Sequence, residues 1–475
     1  MKILSRYSAS SLLPWGMLIV IFTLPICLTA QTAEPAADAA MVRKIYDQAL
    51  RDGRCYSWLE HLTTNIGHRL SGSASAAKAV TWTRATLDTL GLDSVWLQPC
   101  MVPHWVRGAA EQVRVVDAKS GPFDLQALAL GGSVPTPGVG LRANVVEIKT
   151  WPDLDSLGAK GLLQGKLVFY NRPMDPTKVR TFEAYGGAVD QRVFGASRAA
   201  KYGAVGVLVR SMTLRLDDIP HTGTLLYDSA YARIPAVAIS TNDAEKLSRL
   251  LKTQPKIMVS MRLNCQTLPD EPSYNVIGEI RGTERPTDVL LVGGHLDSWD
   301  VGQGAHDDGA GVVQSMDVLR YLRHIGYKPR HTIRCVLFMN EENGGRGGEK
   351  YAAESERKGE FPLCAIESDA GGFTPRGFGF EGDKSVFSAF FEKVKTLRPI
   401  LEPYGLLLNE GGSGSDVGHL RGQKGLLVGY SPDSQRYFDI HHTNADTFDK
   451  VNKRELELGA ASMAALIYLL DKYGL

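Results

Sequence analysis

The sequence predicts an α/β protein: a mixed, mostly parallel sheet flanked by helices and interrupted by an inserted domain. Three observations point there. From Tyr274 onward, apolar runs, glycine-rich turns and helical stretches alternate, the pattern of strands joined through covering helices. Between 121 and 265 the texture changes to Gly- and Pro-rich turns with short strands. A chain of 475 residues with 44% apolar composition also exceeds one ordinary core and supplies apolar mass for two or more.

The elements follow in order. Lys2 and Arg6, a mostly apolar run over 12–28, and the small pair Thr29-Ala30 before Gln31 have the layout of a secretory signal peptide. The run is short for a membrane span and carries Pro14 and Pro25, which argues against an uncleaved anchor. Bulky Ile26 before Cys27 argues against lipidation. The expectation is an exported chain, periplasmic or secreted, with 1–30 removed and no stable membrane insertion; 31–40, small and polar, reads as a linker. Helical periodicity begins near Met41 and returns over 74–90, where Val80, Leu87 and Leu90 share a face before Gly91. Extended stretches follow over 95–116.

Within 121–265, strands are expected at 144–148, 165–170, 204–209 and 234–239, and a helix at 196–202. Ser240 and Asp243 read as a capping box for the next helix. No cluster of His and acids falls here, so this inserted domain shapes access rather than performing chemistry, and the catalytic domain comprises 41–120 and 266–475. There, buried strands are expected at 288–293, 332–339, 363–367 and 426–430, with helices at 309–325 and 454–472.

Charge and cysteines exclude some functions. Lys and Arg number 53 against 52 Asp and Glu; loss of Lys2 and Arg6 with the leader leaves about −1, without the basic excess of a nucleic-acid binder. The five cysteines beyond the leader, Cys55, Cys100, Cys265, Cys335 and Cys364, are scattered without C-x-x-C spacing. They read as core residues or one or two disulfides rather than zinc ligands.

Ligands of such sheets bind outside the carboxyl ends of the strands. The strand 289–294 ends in His295-Leu-Asp297, and the following turn is Ala305-His-Asp307-Asp308-Gly-Ala-Gly311. The strand 332–339 ends in Asn340-Glu341-Glu342, the next in Ser368-Asp369, and His441-His442-Thr-Asn-Ala-Asp446-Thr lies near the C-terminus. Taken singly, each has an ordinary explanation: a hydrogen-bonded His, a solvated Glu pair, an Asp-Asp-Gly turn. Taken together they do not, because tandem acids directly after a strand as apolar as 335–339 are costly unless a cation or hydrogen bonds satisfy them. Imidazoles and carboxylates are zinc ligands, and five ligands with one shared suffice for two ions.

His295-x-Asp297, Asp307-Asp-Gly-Ala-Gly, Glu341-Glu342, Asp369 and His442-x-x-x-Asp446-Thr resemble the co-catalytic di-zinc exopeptidase family that contains bacterial leucyl-type aminopeptidases. Glu367-Ser-Asp-Ala-Gly-Gly372, the doubled His441-His442 and Ile66-Gly-His-Arg-Leu-Ser-Gly-Ser73 are similar to its carboxypeptidase Q (plasma glutamate carboxypeptidase) branch. The likeness runs from about Met41 to the end. It implies a zinc-peptidase fold with two zinc ions per chain, bridged by Asp307, one completed by His295 and Asp369, the other by Glu342 and His442. It implies Glu341 as general base, with Asp297 accepting a hydrogen bond from the free ring nitrogen of His295. The inserted region resembles a protease-associated domain, and relatives imply a homodimer.

The expected reaction is hydrolysis of dipeptides or short peptides by water held between the two metals. Relatives place a Tyr before the last His ligand; here His441 stands there and is expected to donate to the oxyanion. Ser413 or Asp416, in the glycine-rich stretch 410–416, is expected to bind a peptide terminus, and Arg421 or Arg436 is a candidate carboxylate clamp. Aminopeptidase action with the same site is the alternative. A glutaminyl cyclase-like transferase, which needs one zinc, and a non-catalytic peptide-binding protein are more distant.

Overall fold

The computed structural model describes residues 34–474. The expected signal peptide lies outside them. The chain opens with helices α1 (Glu34–Asp52), α2 (Cys55–Glu60) and α3 (Ala74–Asp88), then strands β1 (Ser94–Val106), β2 (Gln112–Val115), β3 (Phe123–Asp124), β4 (Ala127–Ala129) and β5 (Leu141–Ile148). Next come α4 (Trp151–Ala159), β6 (Leu167–Tyr170), α5 (Thr181–Gly186), α6 (Asp190–Ala200), β7 (Gly206–Arg210), β8 (Ala236–Ile239), α7 (Thr241–Thr253) and β9 (Met258–Arg262). After the long β10 (Gln266–Ile280) and β11 (Arg285–His295) come α8 (Ala310–His324), β12 (His331–Phe338), α9 (Arg346–Lys358), β13 (Pro362–Glu367) and β14 (Pro375–Gly382). The chain closes with α10 (Phe387–Lys395), α11 (Arg398–Leu401), β15 (Leu407–Glu410), β16 (Leu426–Pro432) and α12 (Lys453–Tyr473).

Two eight-stranded sheets form, in the orders β1-β10-β12-β11-β13-β16-β14-β15 and β3-β2-β9-β5-β6-β7-β8-β4. In the first, β12, β11, β13 and β16 run parallel in that order, with antiparallel strands outside them. Its middle strands are apolar and buried on both faces, as a helix-covered parallel sheet requires. Helix α8 is buried nearly all round between this sheet and α12. The second sheet begins at Gln112, ahead of 121: the alternation over 95–116 is two strands belonging to different sheets, and pairing rather than texture marks the change.

The expected linker over 31–40 is helical from Glu34. Val42, Ile45, Tyr46 and Ala49 recur at helical spacing and are buried, and α1 packs on α12. Asp38 is buried there, accepting from Tyr468 (2.7 Å), Lys472 (2.6 Å) and Tyr473. The capping box at α7 is half formed: Ser240 accepts from the Asp243 N–H, but the Asp243 carboxylate turns to the Gln126 N–H at 2.6 Å. All five described cysteines are buried and unpaired, so they serve as core residues. Among the described residues no helix is long and apolar enough to cross a membrane.

Candidate active site

Because β12, β11 and β13 are parallel neighbours, their carboxyl ends lie at one edge. Strand order also reverses there: the chain steps from β11 to β12 on one side, then crosses to β13 on the other, which opens a crevice at the strand ends. β11 ends on His295, β12 runs into Glu341-Glu342, and β13 into Asp369. Asp307 enters from the turn before α8 and His442 from the loop before α12.

These five side chains meet. His295 Nε2 lies 3.3 Å from Asp307 Oδ1 and 3.3 Å from Asp369 Oδ1. His442 Nε2 lies 3.2 Å from Asp307 Oδ2 and 3.2 Å from Glu342 Oε2. Asp307 thus offers one oxygen to each of two His–carboxylate pairs. Charge-assisted hydrogen bonds would be shorter, about 2.7–2.9 Å, and one ring N–H shared between two carboxylates would serve each only weakly. Asp307 Oδ2 is buried without a hydrogen-bond partner, as is His442 Nδ1. Overlapping trios here, including His295–Asp307–Glu342, are close enough to hold a metal ion.

The electrostatics agree. Burial, then the charge of Asp307, pushes Glu342 up to about 8, and burial lifts Asp369 to about 6. Burial opposes protonation of His442, but Glu342 and Asp307 overcome it and raise the ring to about 10. His295 is raised likewise, by Asp369 and Asp307 against burial. A buried cluster that draws protons onto both imidazoles is one that a divalent cation neutralises equally well.

Buried acids outside these five hold the backbone of the site. Asp308 accepts from the N–H groups of His295 and Gly311, both at 3.0 Å; a Cβ at Gly294 or Gly311 would collide with its carboxylate. Asp446 accepts from His306 (2.8 Å) and Asp307 (3.1 Å). The fully buried Arg69 guanidinium donates to the carbonyls of Leu296, Gln303 and Gly304, pinning the loop after β11. Asp297 departs from expectation. His295 Nδ1 meets the backbone carbonyl of Asp297 at 3.1 Å, whereas the nearer carboxylate oxygen is 3.9 Å away. That carboxylate is already engaged by the N–H groups of Asn340, Glu341 and Glu342.

Glu341 is half-buried, and among the described residues its carboxylate has no hydrogen-bond partner. Its charge is felt by Asp297, Asp369 and Glu367. His441 stacks on His442 with ring centroids 3.5 Å apart, its Nε2 3.6 Å from Asp307 Oδ2. Burial, then His442, holds it well below the usual imidazole range, so its ring is neutral. Ser413 Oγ is hydrogen-bonded to Glu381; the buried Asp416 carboxylate has no hydrogen-bond partner among the described residues, and burial, then the charges of Glu367 and Glu341, holds it well above the usual carboxylate range. Arg421 pairs with Glu381 at 2.7 Å and Arg436 with Glu455 at 3.5 Å.

The second sheet's unit completes the wall. His221 Nδ1 meets the His441 carbonyl at 2.8 Å, and the Thr222 N–H donates to the His442 carbonyl at 3.0 Å. His442 has φ +61°, a left-handed conformation unusual for a non-glycine residue, and this anchor helps to hold it. Trp299 lies edge-on to His442 and inserts into the second sheet's core, where a Cβ at Gly131 would overlap its ring. Neither His221 nor Thr222 belongs to a motif, so nothing in the sequence marks them.

The model of "Peptidase family M28" matches residues 275–467. Human carboxypeptidase Q is 34% identical over 436 residues, 91% of this chain and 88% of that one. The crystal structure of a peptidase M28 precursor from Shewanella amazonensis superposes with a TM-score of 0.85 at 33% identity, covering 93% of this chain and 98% of that one. A zinc aminopeptidase from Bacillus subtilis shares the fold, with a TM-score of 0.63 at 21% identity over 88% of this chain and 94% of that one. With its strand-end cluster and a relative this similar over nearly the whole length, the chain belongs to peptidase family M28.

Proposed function

We propose that the protein is an exported, zinc-dependent exopeptidase of the carboxypeptidase Q kind, hydrolysing dipeptides or short peptides with two zinc ions per chain. The observation that carries this reading is Asp307, whose two oxygens each face a separate His–carboxylate pair. The ligand atoms fit the metal. Zinc bonds of about 2.0–2.1 Å in tetrahedral geometry set ligand atoms roughly 3.3 Å apart, and the four contacts above are 3.2–3.3 Å. His295 and Asp369 would hold one ion, Glu342 and His442 the other, with Asp307 shared.

Bound zinc would supply a Lewis acid for the scissile carbonyl and acidify the attacking water. The chain's own residues do the rest. Glu341, with no competing hydrogen bond, takes the proton of the attacking water and returns it to the leaving amine. Asp297 fixes Glu341 through its backbone N–H. The neutral His441 ring donates to the oxygen on which charge develops. The leader layout supports export. The second sheet's unit takes the part of a protease-associated-like domain that borders the site, and homodimer formation rests on the family likeness alone.

Metal analysis tests the reading. Two zinc ions per chain are expected, and Glu341→Gln should keep both while losing at least about 10³-fold in kcat on dipeptides. One zinc favours a cyclase-like transferase, none a peptide-binding protein. Blocking either terminus of a dipeptide series separates carboxypeptidase from aminopeptidase action.

A further inference from the structure

The expected carboxylate clamps, Arg421 and Arg436, both have acidic partners. Arg192 does not. It lies on α6 of the second sheet's unit and is only 5% exposed, yet among the described residues no carboxylate pairs with it. Among the described residues its one side-chain hydrogen bond is from Nε to the Thr224 carbonyl at 3.3 Å. Nη1 is buried with no partner. A buried guanidinium left without an anion is costly unless one arrives.

Space has been cleared for this group. Gly223 has φ +136°, and a Cβ there would overlap the Arg192 guanidinium. The ring of Tyr185 lies beneath it, 5.6 Å from the guanidinium carbon to the centroid. Tyr185 in turn meets the His441 ring edge-on at 5.4 Å. The segment leading to Gly223 is the one that holds the His441 and His442 carbonyls through His221 and Thr222. Arg192 is therefore one aromatic ring from His441.

We propose that Arg192 is the specificity-determining residue that binds the free carboxylate of the peptide substrate, with Nη1 donating to a carboxylate oxygen. The assignment rests on the exopeptidase reading above and sharpens it: a fixed cation beside the site selects substrates with a free C-terminus within one or two residues of the scissile bond. A planar guanidinium matches a carboxylate in shape as well as charge.

The test uses the zinc-loaded, full-length processed enzyme with Ala-Leu and Ala-Leu amide as substrates, and calorimetric binding of leucine and leucinamide as a readout independent of turnover. Wild type should cleave the acid well and the amide poorly. Arg192→Met should raise KM for the acid about 100-fold with a much smaller change in kcat, leave the amide nearly unaffected and abolish leucine binding. Arg192→Lys should recover part of the KM loss. The proposal is overturned if the variants change acid and amide alike, or if wild type cleaves both equally while remaining a peptidase. If wild type cleaves no peptide, the exopeptidase reading falls. Leucine binding lost in Arg192→Met would then still support the carboxylate site, and equal binding by both proteins would overturn it.

Discussion

The carboxylate of Asp297 accepts the backbone N–H of Glu341 at 3.1 Å. It also takes the N–H of Asn340, at 2.7 Å, so one buried acid at the end of β11 fixes the turn at the end of β12. Asn340 sits at φ +76°, a left-handed conformation that the turn imposes and that Asp297 helps to hold. Removing the carboxylate orphans buried N–H groups and releases Glu341. Asp297→Ala should lower kcat by about 10- to 100-fold and weaken metal retention; zinc content and steady-state kinetics measured together check this. Unchanged kcat would show that the turn holds itself.

His441 is stacked on His442 yet lies 3.6 Å from Asp307, beyond hydrogen-bonding distance. Its Nε2 is therefore not committed to Asp307. His441→Phe keeps the stack and removes the donor, so kcat should fall about 100-fold with both zinc ions retained. Full activity, or loss of metal, would assign His441 a packing or ligand role instead.

Asp38 gives a pH signature far from the chemistry. Burial works against its charge, but hydrogen bonds from Lys472, Tyr473 and Tyr468 outweigh it and hold the carboxyl below its ordinary 3.8. A depressed folded value means stability that is complete above the unfolded value and is lost as pH falls through the folded one. Asp38→Asn should destabilise by about 1–2 kcal/mol near pH 7. The difference in Tm between the two proteins should stay constant down to about pH 4 and shrink below it. A gap that persists into strong acid would mean that α1 docks on α12 without this charge.

Much of the catalytic sheet was legible because its strands are short apolar runs bounded by turns. The stretch 289–294 and the stretch 335–339 are apolar runs of strand length bounded by turn residues, and a His or acid within two residues of each end marks the functional edge. Less legible was whatever depends on partners distant in sequence. Asp308 and Asp446 look like turn residues until their carboxylates are seen on the N–H groups of His295 and Asp307. The beginning of the second sheet at Gln112 is set by pairing with Met258–Arg262, almost 150 residues away. The polar face of α1 hid Asp38, whose partners all lie on α12. Arg192 gave no signal because its meaning is the lack of an acid beside it, which only packing reveals.

The two carbonyls that His221 and Thr222 hold belong to consecutive residues, His441 and His442, near the other end of the chain. One half of the molecule therefore finishes the shape of a loop encoded in the other. Neither half is a free-standing cartridge for recombination. A change in the segment around His221 and Thr222 would therefore be felt first in the backbone of His441 and His442.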